Sequence, residues 1–218
     1  MDRWFDGVYL VGRYNYLQTG VWLLAHNGEA AVLELPPTNL LGLNFGADPA
    51  ADAAHVANEL GATVKYLLCT HTHHDHFGTK TFRHMRERFP RAEPVLQSGF
   101  RGATEGEPGI RYFDGAHALF VGGEPLHLLH APKHSPTDTM VIFRGAVCTG
   151  DWELNTIRTV NERVPVETRL RSCERVIEFL RQTNYHVHRV YSVHANDRRE
   201  GVDFPALIAD TRTDRKLW

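Results

Sequence analysis

Apolar positions early in the chain fall in short runs broken by glycine and asparagine, a spacing of β-strands rather than of helices. Residues 8–10, 14–17, 21–26 and 30–35 are such runs, and Asn27-Gly28 between the last two is a strong hairpin signal. An antiparallel meander is therefore predicted at the start. Residues 36–49 hold three prolines, two asparagines and two glycines and read as a surface loop able to flank a site. Asp48-Pro49 then opens an alanine-rich stretch ending at Leu60-Gly61, and a capping acid, an early proline and a terminal glycine mark it as a helix. Residues 64–69 (VKYLLC) make a mostly apolar run of strand length. Beyond them the pattern predicts a helix over 77–89 and a strand over 94–97, then loop-rich ground with seven glycines over 98–125. Strands follow over 126–129, 139–143 and 146–149, a helix over 166–182 and a strand over 189–193. Each rough half of the chain runs from strands into a helix and on to a strand that ends in histidine. That order suits one domain, residues 1–218, of the α+β class: an αββα four-layer sandwich, two packed sheets with helices outside, rather than a Rossmann sheet.

Composition narrows the function classes. No apolar run approaches the roughly 20 residues that span a bilayer. The opening MDRWFDGVYLV puts acids and a glycine where a secretion signal needs a basic flank and an apolar stretch. The expectation is a cytoplasmic protein with no membrane partner. Three cysteines without a C-x-x-C pair predict free thiols rather than a disulfide framework or a cysteine zinc site. A formal net charge of -2 lacks the basic excess that phosphate-backbone binding demands, so nucleic acid is not an expected partner and a small-molecule substrate is. The aromatic N-terminus (Trp4, Phe5, Tyr9, Tyr14, Tyr16) reads equally as a core edge or an interface, and leaves the oligomeric state open. What stands out is 14 histidines, four of them within residues 71–76. Histidine is the commonest metal ligand, so metal chemistry leads.

His71 and His73 lie two apart, so in an extended segment both side chains leave on one side and can reach one ion. Asp75 and His76 follow as the chain turns toward the next helix and can point at a second ion. The competing reading is a solvated histidine-rich loop, but evenly spaced imidazoles and a carboxylate at a strand end serve no packing purpose. The run Thr70-His71-Thr72-His73-His74-Asp75-His76-Phe77-Gly78 resembles the H-x-H-x-D-H signature of the metallo-β-lactamase superfamily. The resemblance covers residues 8–195 and implies three later ligands. His134 in Ala131-Pro132-Lys133-His134-Ser135-Pro136-Thr137-Asp138 is similar to the family's third histidine, with Lys133 replacing the usual glycine and able to face the pocket. Asp151, in Thr149-Gly150-Asp151, is similar to the bridging carboxylate, and His194 to the last histidine. Carried over, His71, His73 and His134 hold one ion, Asp75, His76 and His194 the other, and Asp151 touches both. One departure is Glu34-Leu35-Pro36 in place of the early Asp-x-Gly, which concerns the support of the ligands, not the ligands themselves. His74 is expected to point away. His117, His127 and His130 lie nearer the site loops than the other remaining histidines.

Two divalent ions about 3.5 to 4 Å apart can hold a shared hydroxide at neutral pH and polarise a scissile carbonyl. Asp75 and Asp151 are the expected catalytic residues: both orient the hydroxide, and Asp75 passes a proton to the leaving group. The nitrogen and oxygen ligands suit zinc, while manganese or iron can fill the same geometry. The implied activity is hydrolysis of a small thioester, ester or lactone, as in the glyoxalase II and lactonase branches. The alternatives are an iron-dependent oxygenase of the sulfur dioxygenase type and a non-enzymatic metal-binding domain. The expected substrate anchors are residues 36–49, the glycine-rich stretch 99–109, and Arg198 and Arg199 in the tail.

Overall fold

Residues 1–38, 46–160 and 163–213 are described in this computed structural model. The first sheet takes its strands in chain order: β1 (Asp2–Phe5), β2 (Val8–Tyr14), β3 (Thr19–His26), β4 (Glu29–Leu33), β5 (Thr63–Leu68), β6 (Glu93–Gln97) and β7 (Arg111–Phe113). Tight turns make β1 to β4 an antiparallel meander. From β4 onward the pairings are parallel, because α1 (Pro49–Glu59) and α2 (Thr79–Arg88) carry the chain back across the sheet. Asp48 caps α1, its Oδ1 accepting from the amides of Ala50 (3.0 Å) and Ala51 (3.1 Å). The second sheet holds β8 (Ala116–Val121), β9 (Glu124–His130), β10 (Thr139–Phe143), β11 (Ala146–Cys148), β12 (Arg189–Tyr191) and β13 (Arg198–Glu200), in the order β13-β12-β11-β10-β9-β8. Its one parallel pair, β11 with β12, is bridged by α3 (Val166–Thr183), and α4 (Phe204–Thr213) closes the described chain.

Three apolar clusters define four layers. One, with Trp22, Leu24, Leu33, Leu128, Val141, Phe143 and Tyr191, lies between the sheets. A second packs the first sheet against α1 and α2, and a third packs the second sheet against α3 and α4. β3 reads as a continuous apolar run because all but its last residue are buried, one face on each of two cores. The α+β sandwich expected from the sequence is thus observed, and the three cysteines are free and buried. Among the described residues, no helix is long and apolar enough to cross a membrane.

Several expectations are corrected. Residues 14–17 are not a strand: β2 runs through Tyr14, and the chain then turns with Asn15 and Gln18 at positive φ. The stretch 98–125, expected as loop, contains β7 and β8, whose edge position gives β8 an irregular exposure pattern. The second helix starts at Thr79, because Phe77 is drawn into the core and its amide bonds to His73 O at 3.0 Å. β1, β13 and α4 went unread, the two strands being too short to show a period. Residues 39–45, half of the loop expected over 36–49, lie outside the described residues.

Trp22 ties the sheets together. Fully buried, it meets Trp4 edge-on at 4.8 Å and Tyr191 at 4.7 Å between ring centroids, and its indole N–H donates to Val193 O at 3.1 Å. Trp22→Ala is expected to cost about 3–5 kcal/mol in urea unfolding; a loss under about 1 kcal/mol would show that this contact does not hold the sheets together.

Candidate metal centre

The segments after β5, β9, β11 and β12 all leave the C-terminal ends of their strands at one edge of the sandwich. After β5, the Thr70 amide donates to the buried Glu34 carboxylate (Oε1, 2.8 Å), and the amides of His76 and Phe77 both donate to His73 O at 3.0 Å. This tight turn aims His71 and His73 the same way: His71 Nε2 and His73 Nδ1 are 3.1 Å apart. Thr139 N donates to Thr70 O at 2.8 Å, tying in the loop after β9, and His134 Nε2 comes within 3.2 Å of His73 Nδ1. Asp138 fixes the backbone of that loop, its Oδ2 accepting from the amides of Lys133 (2.9 Å), His134 (2.6 Å) and Ser135 (2.9 Å).

The second group forms beside the first. His76 Nε2 lies 3.0 Å from Asp75 Oδ2 and 3.2 Å from Asp151 Oδ2, and His194 Nε2 lies 3.3 Å from Asp151 Oδ1 and 3.7 Å from Asp75 Oδ2. Asp151 follows Gly150, whose positive φ brings the chain close against the Thr70 side chain. His194 follows β12, which ends at Tyr191 because the Ser192 amide turns to Asp197 O. Asp151 Oδ2 is also 3.9 Å from His71 Nε2 and 3.7 Å from His134 Nε2, so it stands between the groups. The structure therefore brings together all seven residues singled out in the sequence, in the two groups expected of them.

This donor set fits divalent cations. Within each group the ligand atoms lie within 4.8 Å of one another. His76 Nε2 and Asp151 Oδ1 are buried without a hydrogen bond, a costly state that a shared cation would relieve. Burial, helped by neighbouring His76, holds His71 well below the usual imidazole range, and burial with His134 lowers His73 to about 4. Both rings are thus neutral, with a lone pair to offer. Burial opposes charge on His76 as well, yet Asp151, Asp75 and Glu34 hold it well above the ordinary range. Asp151 resists the same burial and stays far below the carboxylate range because His76, His194 and His71 face it.

Three of these residues are braced from behind. His71 Nδ1 meets Thr70 Oγ1 at 3.0 Å, His76 Nδ1 meets Glu34 Oε2 at 3.1 Å, and Asn15 donates to Asp75 O at 2.9 Å. Glu34 stands at the place where the resemblance expects Asp-x-Gly, and it supplies the support that its departure put in question. Lys133 does not face the pocket: it is buried, its Nζ donating to Glu153 Oε2 (2.7 Å) and Arg158 O (2.9 Å). Sequence reasoning gave no role to Asp138, Glu153 or Asn15. Asp138, three residues after Ser135, has the reach-back spacing of a capping box, and its carboxylate accepts from the Ser135 amide. His74 is exposed, as expected, while His127 packs between Phe179 and Tyr185 on the helix side of the second sheet.

A cavity of about 440 Å³ opens beside Asp151 and His194, walled by Trp152, Leu154 and Val160 and ending at Arg199. Of the expected substrate anchors, Arg199 borders it. Gly109 lines a separate cavity, and Arg198 stacks over Trp4 and Phe5.

No protein-family model matches the chain, and no curated protein matches it. Solved structures do. A metallo-β-lactamase family protein from Thermus thermophilus is 18% identical with a TM-score of 0.61, covering 95% of this chain and 79% of its own. ETHE1 from Myxococcus xanthus is 17% identical with a TM-score of 0.64, covering 94% and 83%. The rubredoxin oxygen:oxidoreductase of Desulfovibrio gigas is 13% identical with a TM-score of 0.68, covering 96% of this chain and 60% of its own. Identities this low bear on architecture alone, and with two sheets and four α-helices among the described residues, this chain has the metallo-β-lactamase fold.

Proposed function

We propose that this chain is a binuclear metal-dependent hydrolase that cleaves a small thioester, ester or lactone, with zinc as its default ion and the cytoplasm as its place of work. The observation that carries the reading is Asp151, a half-buried carboxylate between a three-histidine group and a second Asp/His group. His71, His73 and His134 would hold one ion, Asp75, His76 and His194 the other, and Asp151 both. Such ions supply Lewis acidity and bring water's pKa toward about 7. Asp75 and Asp151 would orient a water, and Asp75, the less hemmed by imidazoles, would take a proton from it and return it to the leaving group. Trp152, Leu154 and Val160 would seat an apolar acyl group and exclude bulk water from it. A second reading, an iron-dependent oxygenase of the sulfur dioxygenase type, draws on the likeness to ETHE1.

Elemental analysis of protein purified without added metal, with a thioester and lactone panel before and after chelation, separates the two. Two zinc ions per chain and chelator-sensitive hydrolysis are expected; one iron per chain with no turnover would favour the oxygenase. Asp151→Asn should lower hydrolysis on the order of 100-fold or more and weaken both ions, read from initial rates and from competition with a chromogenic chelator.

Metal uptake should release protons. With its pKa raised, His76 carries a proton near neutral pH in the metal-free protein, and a metal ligand must shed it. Apparent zinc affinity should therefore rise with pH and fall as the solution is acidified. Calorimetry in buffers of different ionisation enthalpy reads the proton count; a heat independent of buffer would contradict the protonation of His76.

A further inference from the structure

We propose that Glu153, clamped by Lys133, is a positioning residue for the three-histidine group: it holds the His134 ring with Nδ1 turned into the protein, so that Nε2 faces His71 and His73. The inference rests on the reading of that group as a metal site. Glu153 Oε1 lies 3.5 Å from His134 Nδ1 and accepts from Thr159 Oγ1 (2.8 Å) and the Val160 amide (3.0 Å). Its Oε2 accepts from Lys133 Nζ at 2.7 Å, and the same ammonium donates to Arg158 O at 2.9 Å. Lys133 stands where the resembling pattern has glycine, and its ammonium is fully buried.

The loop does not need this pair in order to form. Asp138 already satisfies the amides of Lys133, His134 and Ser135 and fixes the backbone. The His134 ring, however, can still turn about its side-chain bonds, and either nitrogen could face inward. Burying a carboxylate and an ammonium is expensive, and the pair offers little net stability over an apolar pair of equal volume. What it provides is a charged acceptor at His134 Nδ1, 3.5 Å away, and it also orients the second one, the Thr159 hydroxyl, which lies 3.5 Å from the same nitrogen and donates its proton to Glu153 Oε1. A carboxylate there selects the Nδ1–H tautomer and leaves Nε2 its lone pair, the arrangement metal-ligating histidines generally use. Asp138 thus sets where His134 stands and Glu153 sets which way it faces. Because Glu153 also bonds Thr159 and Val160, the same carboxylate ties the three-histidine group to a wall of the cavity.

Two double variants isolate the acceptor from the fold. Lys133→Met with Glu153→Leu and Lys133→Met with Glu153→Gln both remove the buried charges at similar volume and keep the Thr159 hydroxyl, but only glutamine keeps an acceptor at position 153 for Nδ1 and for that hydroxyl. Zinc is titrated into each metal-free protein against a chromogenic chelator. The leucine variant should lose about 10- to 100-fold in affinity for one ion and leave the other unchanged, while the glutamine variant stays close to wild type. Equal binding in both variants, or equal weakening of both ions in the leucine variant, would overturn the proposal. His134→Ala is the control for the underlying reading: it should lose one ion, and if both are retained, the metal assignment of the group fails. If that control loses an ion and the leucine variant does not, the positioning role alone fails. Histidine-ring NMR on the wild-type zinc protein gives a test without these variants, with His134 assigned by comparison with His134→Ala. A proton on His134 Nδ1 is expected, and one on Nε2 would refute the proposal.

Discussion

Buried carboxylates that accept from backbone amides and ring nitrogens hold this candidate site in shape. Glu34 joins the end of β4 to the turn after β5 through Thr70 N, and to His76 through its ring. Asp138 gathers three successive amides under His134. Glu153 stands beside the ring of the same histidine. An anion surrounded by N–H donors in a low-dielectric interior is well stabilised, and the donors it collects lose their freedom. The chain can therefore converge imidazoles that would otherwise repel or rotate apart.

The sandwich makes this bracing possible by lining up strand ends. β5 sits in one sheet and β9, β11 and β12 in the other, yet all deliver their following loops to one edge. The two sheets cannot slide, because Trp22 of the first is wedged against Tyr191 of the second and bonds to Val193 O one residue before His194. Packing in the intersheet core thus sets the position of a site residue at the surface. The cross-loop bond from Thr139 N to Thr70 O does the same for His134.

How much was legible follows from range. The run from His71 to His76 carried its chemistry in local spacing, and the resemblance carried His134, Asp151 and His194 onto strand ends that periodicity had already marked. Helix α1 was readable from Asp48, Pro49 and Gly61, because capping is a local interaction. The bracing groups were not: Glu34 reaches 42 residues along the chain to His76, and Asn15 reaches 60 to Asp75. A polar residue inside an apolar run has a partner, but sequence does not say which. β8 and β13 escaped for the complementary reason, since edge strands make half the contacts and need not alternate.

On the hydrolase reading, the cavity bears on which substrates are told apart. Arg199 is its most prominent cation, but Asp197 takes it, Nε meeting both carboxylate oxygens at 3.0 Å and Nη2 one of them at 2.7 Å. An acidic substrate would have to displace that carboxylate. The surface left for recognition is the indole of Trp152, Leu154 and Val160, which is 76% exposed at the rim. Apolar walls discriminate weakly, about 1–3 kcal/mol for a methylene gained or lost. Selectivity on that reading comes from what reaches Asp75 and Asp151, the reacting bond, and less from the group that fills the cavity.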